Sequence, residues 1–198
     1  MKTFNITKLI LLAACAVVFA SCDDDTFIVD IPLSDPVNIN FDASVLSTAS
    51  PASFTVFAND DLNMFSGYIV LNRNDEAFRE IIPHLSNLSS IDINKALLTI
   101  TEEDAGLYYA EDVIITAQAD GFTATCGIPS YQFGEAFNSN QNAEFKEFLN
   151  KVIFQLIFVG GDIKLSVDGK TNAIDGDKLN VHLQLADVVL KVKTLQKK

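Results

Sequence analysis

The chain has 198 residues, 48% of them hydrophobic, with 26 acidic against 14 basic side chains and a formal net charge of −12. That length suits one domain with a real core. The acidic balance excludes nucleic acid as a partner, which would need basic patches, and argues against electrostatic docking of the whole chain on anionic lipid.

The first 25 residues read as an address. Lys2 and Lys8 give a positive start, Leu9 to Ala20 form an apolar run, and the small residues Ala20 and Ser21 precede Cys22 and Asp23-Asp24-Asp25. A charged start, a short apolar core and a small-residue cleavage site make a secretory signal peptide. From Leu9 to Ser21 there are 13 residues, too few for the roughly 20 of a membrane-spanning helix. Because a cysteine follows directly, Phe19-Ala20-Ser21-Cys22 resembles the signal of bacterial lipoproteins, with Phe where Leu is usual. A closer literal match, Leu12-Ala13-Ala14-Cys15, is set aside because it would leave too short an apolar core before it. The resemblance implies that residues 1–21 are removed, that Cys22 is lipidated and becomes the first mature residue, and that the partner is a membrane. The acidic run after Cys22 favours export to the outer membrane and cell surface. Periplasm-facing placement and retention at the inner membrane stay open. Cleavage removes two of the 14 basic residues and no acid, leaving 12 against 26, a net charge of −14.

Residues 22–34 are then expected to be a lipidated tether and 35–198 a single β-rich domain. Phe27, Val29, Ile31 and Leu33 share one parity, but Pro32 and Pro36 confine that stretch to an edge strand or linker. Val37, Ile39 and Phe41 make the better strand. Ser44 to Pro51 reads as a loop, Phe54 and Val56 as a short strand, and Asn59 to Asn63 as a turn or capping cluster. Tyr68 to Leu71 is ambiguous. Phe78, Ile81, Ile82 and Leu85 recur at helical spacing behind Asn74 or Asp75 as N-cap, which predicts a helix near 74–88, ended or kinked by Pro83.

Ser89 to Glu103 reads as a strand whose apolar parity changes, predicting a bulge near Lys95-Ala96. Val113 to Ala119, Asp120-Gly121 and Phe122 to Ile128 form the clearest local signal, a two-residue hairpin in which both turn residues can take positive φ. Gln141 to Val159 carries Phe145, Phe148, Leu149, Val152, Leu156 and Val159 at helical spacing, closed by Gly160-Gly161. The rival there is a shorter helix followed by a strand at 154–158. Ile163, Leu165 and Val167 alternate up to Asp168-Gly169, and Asp175-Gly176 marks a further turn. Leu179 to Leu185 alternate, and Val188, Leu190 and Val192 continue after a shift at Ala186-Asp187. The expected fold is mainly β, with β-sandwich-like antiparallel sheets and one or two helices near 74–88 and 141–159. The pattern over about residues 90–195 resembles the small β-sandwich domains of bacterial surface lipoproteins. That resemblance implies architecture and location, and no activity.

Chemistry is sparse. Once Cys15 is removed and Cys22 acylated, Cys126 is the lone thiol, and its neighbours Phe122, Ala124 and Ile128 make it a buried small hydrophobe. His84 and His182 lack the ligand spacing of a zinc site. Glu102-Glu103-Asp104 and Glu111-Asp112 are paired carboxylates of the kind glycoside hydrolysis uses, though any acidic chain has such neighbours. Asp168 to Asn172 and Asp175 to Asp177 resemble calcium loops but miss the EF-hand spacing and its closing Glu. No catalytic residue, metal site or cofactor is expected. Tyr108 and Tyr109 are the candidate ligand contacts, as rings that stack on a sugar, against plain packing over the end of the sheet. Two function classes follow. One is a non-catalytic binding or accessory module for a glycan, small ligand or envelope protein. The other is a structural or adhesive subunit that lends residues 27–41 as a detachable strand.

Overall fold

The computed structural model describes residues 26–46, 62–102 and 108–195. Cys22 and the Phe54/Val56 strand lie outside them. Among the described residues ten strands pair into one sheet: β1 (Thr26–Pro32), β2 (Val37–Leu46), β3 (Asn63–Leu71), β4 (Leu88–Glu102), β5 (Tyr109–Ala119), β6 (Phe122–Ile128), β7 (Tyr131–Gln132), β8 (Ala136–Asn138), β9 (Ile163–Thr171) and β10 (Lys178–Leu195). The order is β6-β5-β9-β3-β2-β10-β4-β8, with β1 also on β10 and β7 on β5, and every pairing is antiparallel. The helix α1 (Ala143–Phe154) packs on both β4 and β6. Those strands stand near opposite ends of the order, so one helix can touch both only because the sheet curls. The mainly β, sandwich-like fold with a helix in the 141–159 region is therefore as expected.

Alternation builds the core. In β2, Val37, Ile39, Ala43 and Val45 are buried while Asn38, Asn40, Asp42 and Ser44 are exposed. In β10, Leu179, Val181, Leu183 and Leu185 are buried, and after the shift so are Val188, Leu190 and Val192. Each buried valine, leucine or isoleucine stabilises the fold by about 1.5–3 kcal/mol on leaving water. The two parity shifts visible in the sequence face each other across β4 and β10. Leu185 pairs with Ala96, Asp187 with Lys95 and Val188 with Ile93, so Ala186 bulges from one strand and Asn94 from the other. The paired bulges restore the register, and both strands keep their apolar faces inward beyond them.

β1 corrects the expected boundary of the tether. Thr26–Pro32 is strand, paired with Leu195 to Val189, and belongs to the domain. β1 and β2 lie end to end along the same side of β10. The two prolines bracket the break between them, where Leu33 donates to the Val188 carbonyl at 3.0 Å and the Ser34 amide to Glu80 Oε2 at 3.0 Å. Pro32 is tolerated because, among the described residues, β1 pairs with β10 alone.

The helix expected near 74–88 is two 3-10 turns, Glu76–Phe78 and Ile82–His84. Pro83 has no N–H to give, and its ring would strike the carbonyl four residues back in an α-helix. Shorter bonds form instead, Ile81 to the Phe78 carbonyl at 2.9 Å and His84 to that of Ile81 at 3.0 Å. Phe78 and Ile81 still reach the core. Asp75 stands at the N-cap, but its carboxylate accepts from the Asn72 amide at 2.8 Å. In α1 the Asn142 side chain caps by accepting from the Phe145 amide at 2.9 Å. The helix runs on as a π turn over Gln155–Val159, with Leu156 and Ile157 buried, and Gly160 closes it at φ 85°. The 154–158 segment is thus helical, and the rival strand does not form.

The Asp120-Gly121 hairpin forms as read, Ala119 pairing with Phe122, but with a different turn. Gly121 has φ 67°, whereas Asp120 is not among the residues with positive φ. Nothing lies within 4 Å of a Cβ placed on Gly121, so the constraint is backbone conformation alone. Gly121→Val is expected to destabilise by about 1–3 kcal/mol, because a β-branched residue is strained at positive φ. Asp120→Asn should leave the urea midpoint almost unchanged. Equal losses from the two would assign a role to the Asp120 carboxylate.

Asp168-Gly169 is not a turn. β9 runs straight through it, between β3 and β5. Opposite it β5 bulges, with Asp112 at φ 50° and its carboxylate 2.7 Å from Lys170 Nζ. Asp175-Gly176 is a turn. Gly176 has φ 93°, Asp177 donates to the Ile174 carbonyl at 3.1 Å, and the Asp177 carboxylate accepts from the Ile174 amide at 2.8 Å.

Candidate functional site

The tyrosines singled out from sequence do not form one platform. Tyr108 is half-buried and packs against the core, and its carbonyl accepts from the Phe133 amide at 3.0 Å. Tyr109, 36% exposed, starts β5 with its amide on Asn172 Oδ1 at 2.8 Å. Packing over the sheet accounts for Tyr108. Of the paired carboxylates, Glu103 and Asp104 lie outside the described residues, and Asp112 is held by Lys170. His182 Nε2 and Gln184 Nε2 each lie 3.1 Å from Asn38 Oδ1, whereas His84 sits in the second 3-10 turn. Among the described residues no three His, Cys, Asp or Glu side chains come together. Cys126 is free and buried, and burial first, then the charge of Glu144, pushes its thiol pKa up, which suits a packed side chain.

The sheet itself brings together a constellation that the sequence did not announce. On the outer face of β6, β5, β9 and β3, side chains of four neighbouring strands stand in rows. Thr125, Thr116, Ser166 and Tyr68 form one row. On one side of it lie Thr123, Gln118, Lys164 and Val70; on the other lie Gly127, Ile114, Asp168 and Ser66. Strand spacing makes each row about 14 Å wide. Tyr68 is 60% exposed, and Lys164 Nζ lies 4.4 Å from its ring centroid. Ser66 Oγ donates to Asp168 Oδ1 at 2.6 Å. Val70 and Ile114 are also exposed, so apolar surface flanks the ring.

This face offers hydroxyls, an amide, the charged groups of Lys164 and Asp168, and one exposed aromatic ring that Lys164 overlies, all carried on paired strands. Neutral hydrogen-bond groups beside an aromatic surface can hold a ligand that is polar at its edges and apolar on its faces. The sequence masked Tyr68 because Met64, Tyr68 and Val70 on one parity are as apolar as Phe65, Ile69 and Leu71 on the other. A separate groove of about 670 Å³ runs along α1, lined by Phe122, Lys146, Asn150 and Phe154.

No protein-family model matches the chain, and no curated protein or solved structure matches it. Among the described residues no helix is long and apolar enough to cross a membrane.

Proposed function

We propose that the chain is a lipid-anchored protein of the cell envelope, exposed on the outer membrane, whose domain is a non-catalytic binding module for a glycan. The anchor rests on Phe19-Ala20-Ser21-Cys22 followed by three aspartates. The binding half rests on the outward row Thr125, Thr116, Ser166 and Tyr68. A sugar ring is apolar on its faces and ringed by hydroxyls, which matches an aromatic surface beside neutral donors and acceptors. Retention of the purified domain by insoluble neutral polysaccharides tests this. Tyr68→Ala should weaken retention about tenfold, the value of one good aromatic contact, with an unchanged melting temperature. Tyr109→Ala should leave retention as it was. Equal retention of the Tyr68 variant and the parent removes the platform from the reading.

One observation favours the structural alternative: among the described residues β1 pairs along one edge only, with β10. The detachable segment shrinks from 27–41 to Thr26–Pro32, because residues 37–41 begin β2, which pairs with β10 from Val37 and with β3 from Ala43 and buries Val37 and Ile39. Concentration-dependent polymers that vanish when residues 26–32 are deleted would establish it.

A further inference from the structure

We infer that the domain stands directly on the lipid surface, seated on the end of the sheet where β1 begins, with Phe27 and Ile28 in the headgroup layer. The inference rests on the lipidation of Cys22 proposed above. Only Asp23, Asp24 and Asp25 separate Cys22 from Thr26. Four Cα steps span at most about 14 Å. Because Thr26 is already paired with Leu195, the sheet itself is held within that distance of the acyl chains. A domain beginning at residue 35 would stand 12 residues (23–34) beyond Cys22; with β1 part of the sheet, three residues separate them.

The surface at that end suits the contact. Phe27 is 44% and Ile28 57% exposed, on opposite faces of a strand that, among the described residues, pairs with β10 alone. Water is a poor solvent for both, and the interface of a bilayer takes up aromatic and branched apolar side chains. The charges on the adjoining strand ends balance. Asp30 and Asp92 stand against Lys191 and Lys193; Lys191 lies opposite Asp30 and 2.7 Å from Asp92. The described strand ends are thus close to neutral, whereas Asp23, Asp24 and Asp25 add three negative charges beside the lipid of a mature chain carrying −14, so the contact is made by the acyl anchor with Phe27 and Ile28 and not by charge.

The seat also aims the binding face. β3 meets β2 only between Ala43 and Leu46, with Gly67 opposite Ala43. From Thr26 to Ala43 the strand path is about 55 Å long. Tyr68 and its row are therefore carried on the half of the sheet away from the lipid, open to a ligand outside the membrane.

Site-directed labelling tests the seat on the lipidated full chain in vesicles of phosphatidylethanolamine and phosphatidylglycerol. Cysteines are introduced one at a time as Phe27→Cys, Ile28→Cys, Asn40→Cys and Tyr68→Cys, each with a melting temperature matched to the parent. Each is reacted with a membrane-impermeant maleimide, and the same variants carrying Cys22→Ser serve as the lipid-free reference. The expected result is loss of labelling at 27 and 28 in vesicles, with labelling at 40 and 68 kept. Vesicles that float the protein while 27 and 28 label as fast as in the reference overturn the seat and leave the anchor standing. Failure of the parent to float overturns the anchor and the seat together.

Discussion

Gly67→Ala is expected to destabilise the domain by about 3 kcal/mol or more, the largest effect of any methyl-sized change at a described glycine, since overpacking a closed site has no cheap relaxation. A Cβ at this position would lie 2.4 Å from the backbone oxygen of Asp42, 2.6 Å from Ala43 Cα and 2.7 Å from Ala43 Cβ. Those atoms cannot retreat. β2 is paired on its other side with β10, Ala43 opposite Leu179, and Ala43 is buried. Gly169→Ala should also be costly, because its Cβ would meet the Phe65 ring at 2.7 Å and Phe65 is fully enclosed. The control is Gly127→Ala. Nothing lies within 4 Å there and φ is not positive, so loss of chain entropy in the unfolded state should stabilise by about 0.4–1 kcal/mol. Urea melts of the three variants decide the matter. A Gly67 variant as stable as the parent would show that β2 and β3 do not approach so closely.

Cys22→Ser is expected to move the protein completely from the membrane to the soluble fraction. On the proposed cleavage the apolar run Leu9 to Ala20 leaves with the signal, and residues 22–198 are strongly acidic. Two exposed apolar side chains at the seat add to an acyl anchor but cannot replace it, because even one myristoyl chain binds a membrane only marginally. A chain beginning at Asp23 behind a cleavable secretory leader should be soluble for the same reason. Mass spectrometry of the natural mature N-terminus should find Cys22 first and acylated. A mature chain that starts elsewhere without modification sinks the anchor, and material that resists alkaline washing in both variants would locate it in another part of the chain.

Elements whose causes lie within a few residues were legible from sequence. The alternation of β2, β9 and β10 follows from the two-residue repeat of a half-buried strand. Asp120-Gly121 marks its hairpin because the turn and both strands are contiguous. α1 is announced by the spacing of Phe145, Phe148, Leu149 and Val152, and its end by Gly160. The bulges at Asn94 and Ala186 show as parity shifts because each strand must keep its own apolar face inward. The 74–88 segment misled because the spacing of Phe78, Ile81, Ile82 and Leu85 fits a helix, while Pro83 lets only shorter turns form.

What the chain by itself determined is therefore its β-rich class, one hairpin, one helix and the inward face of most strands. Only the tertiary structure decided which strands are neighbours, and the rest follows from that. Asp-Gly makes a turn at 120–121 and at 175–176 but stays extended at 168–169, because β3 and β5 supply hydrogen-bond partners on both sides of β9. Gly67 and Gly169 look like weak points in strands until β2 and Phe65 fill the space a side chain would take. β1 reads as tether until β10 pairs with it. The row containing Tyr68 joins residues from four strands, and the Ser66–Asp168 bond within this face links positions 102 residues apart. Local preference acts through the chain's own neighbours, whereas register acts through backbone groups of distant strands, and no period or spacing in one segment records which distant segment will provide them.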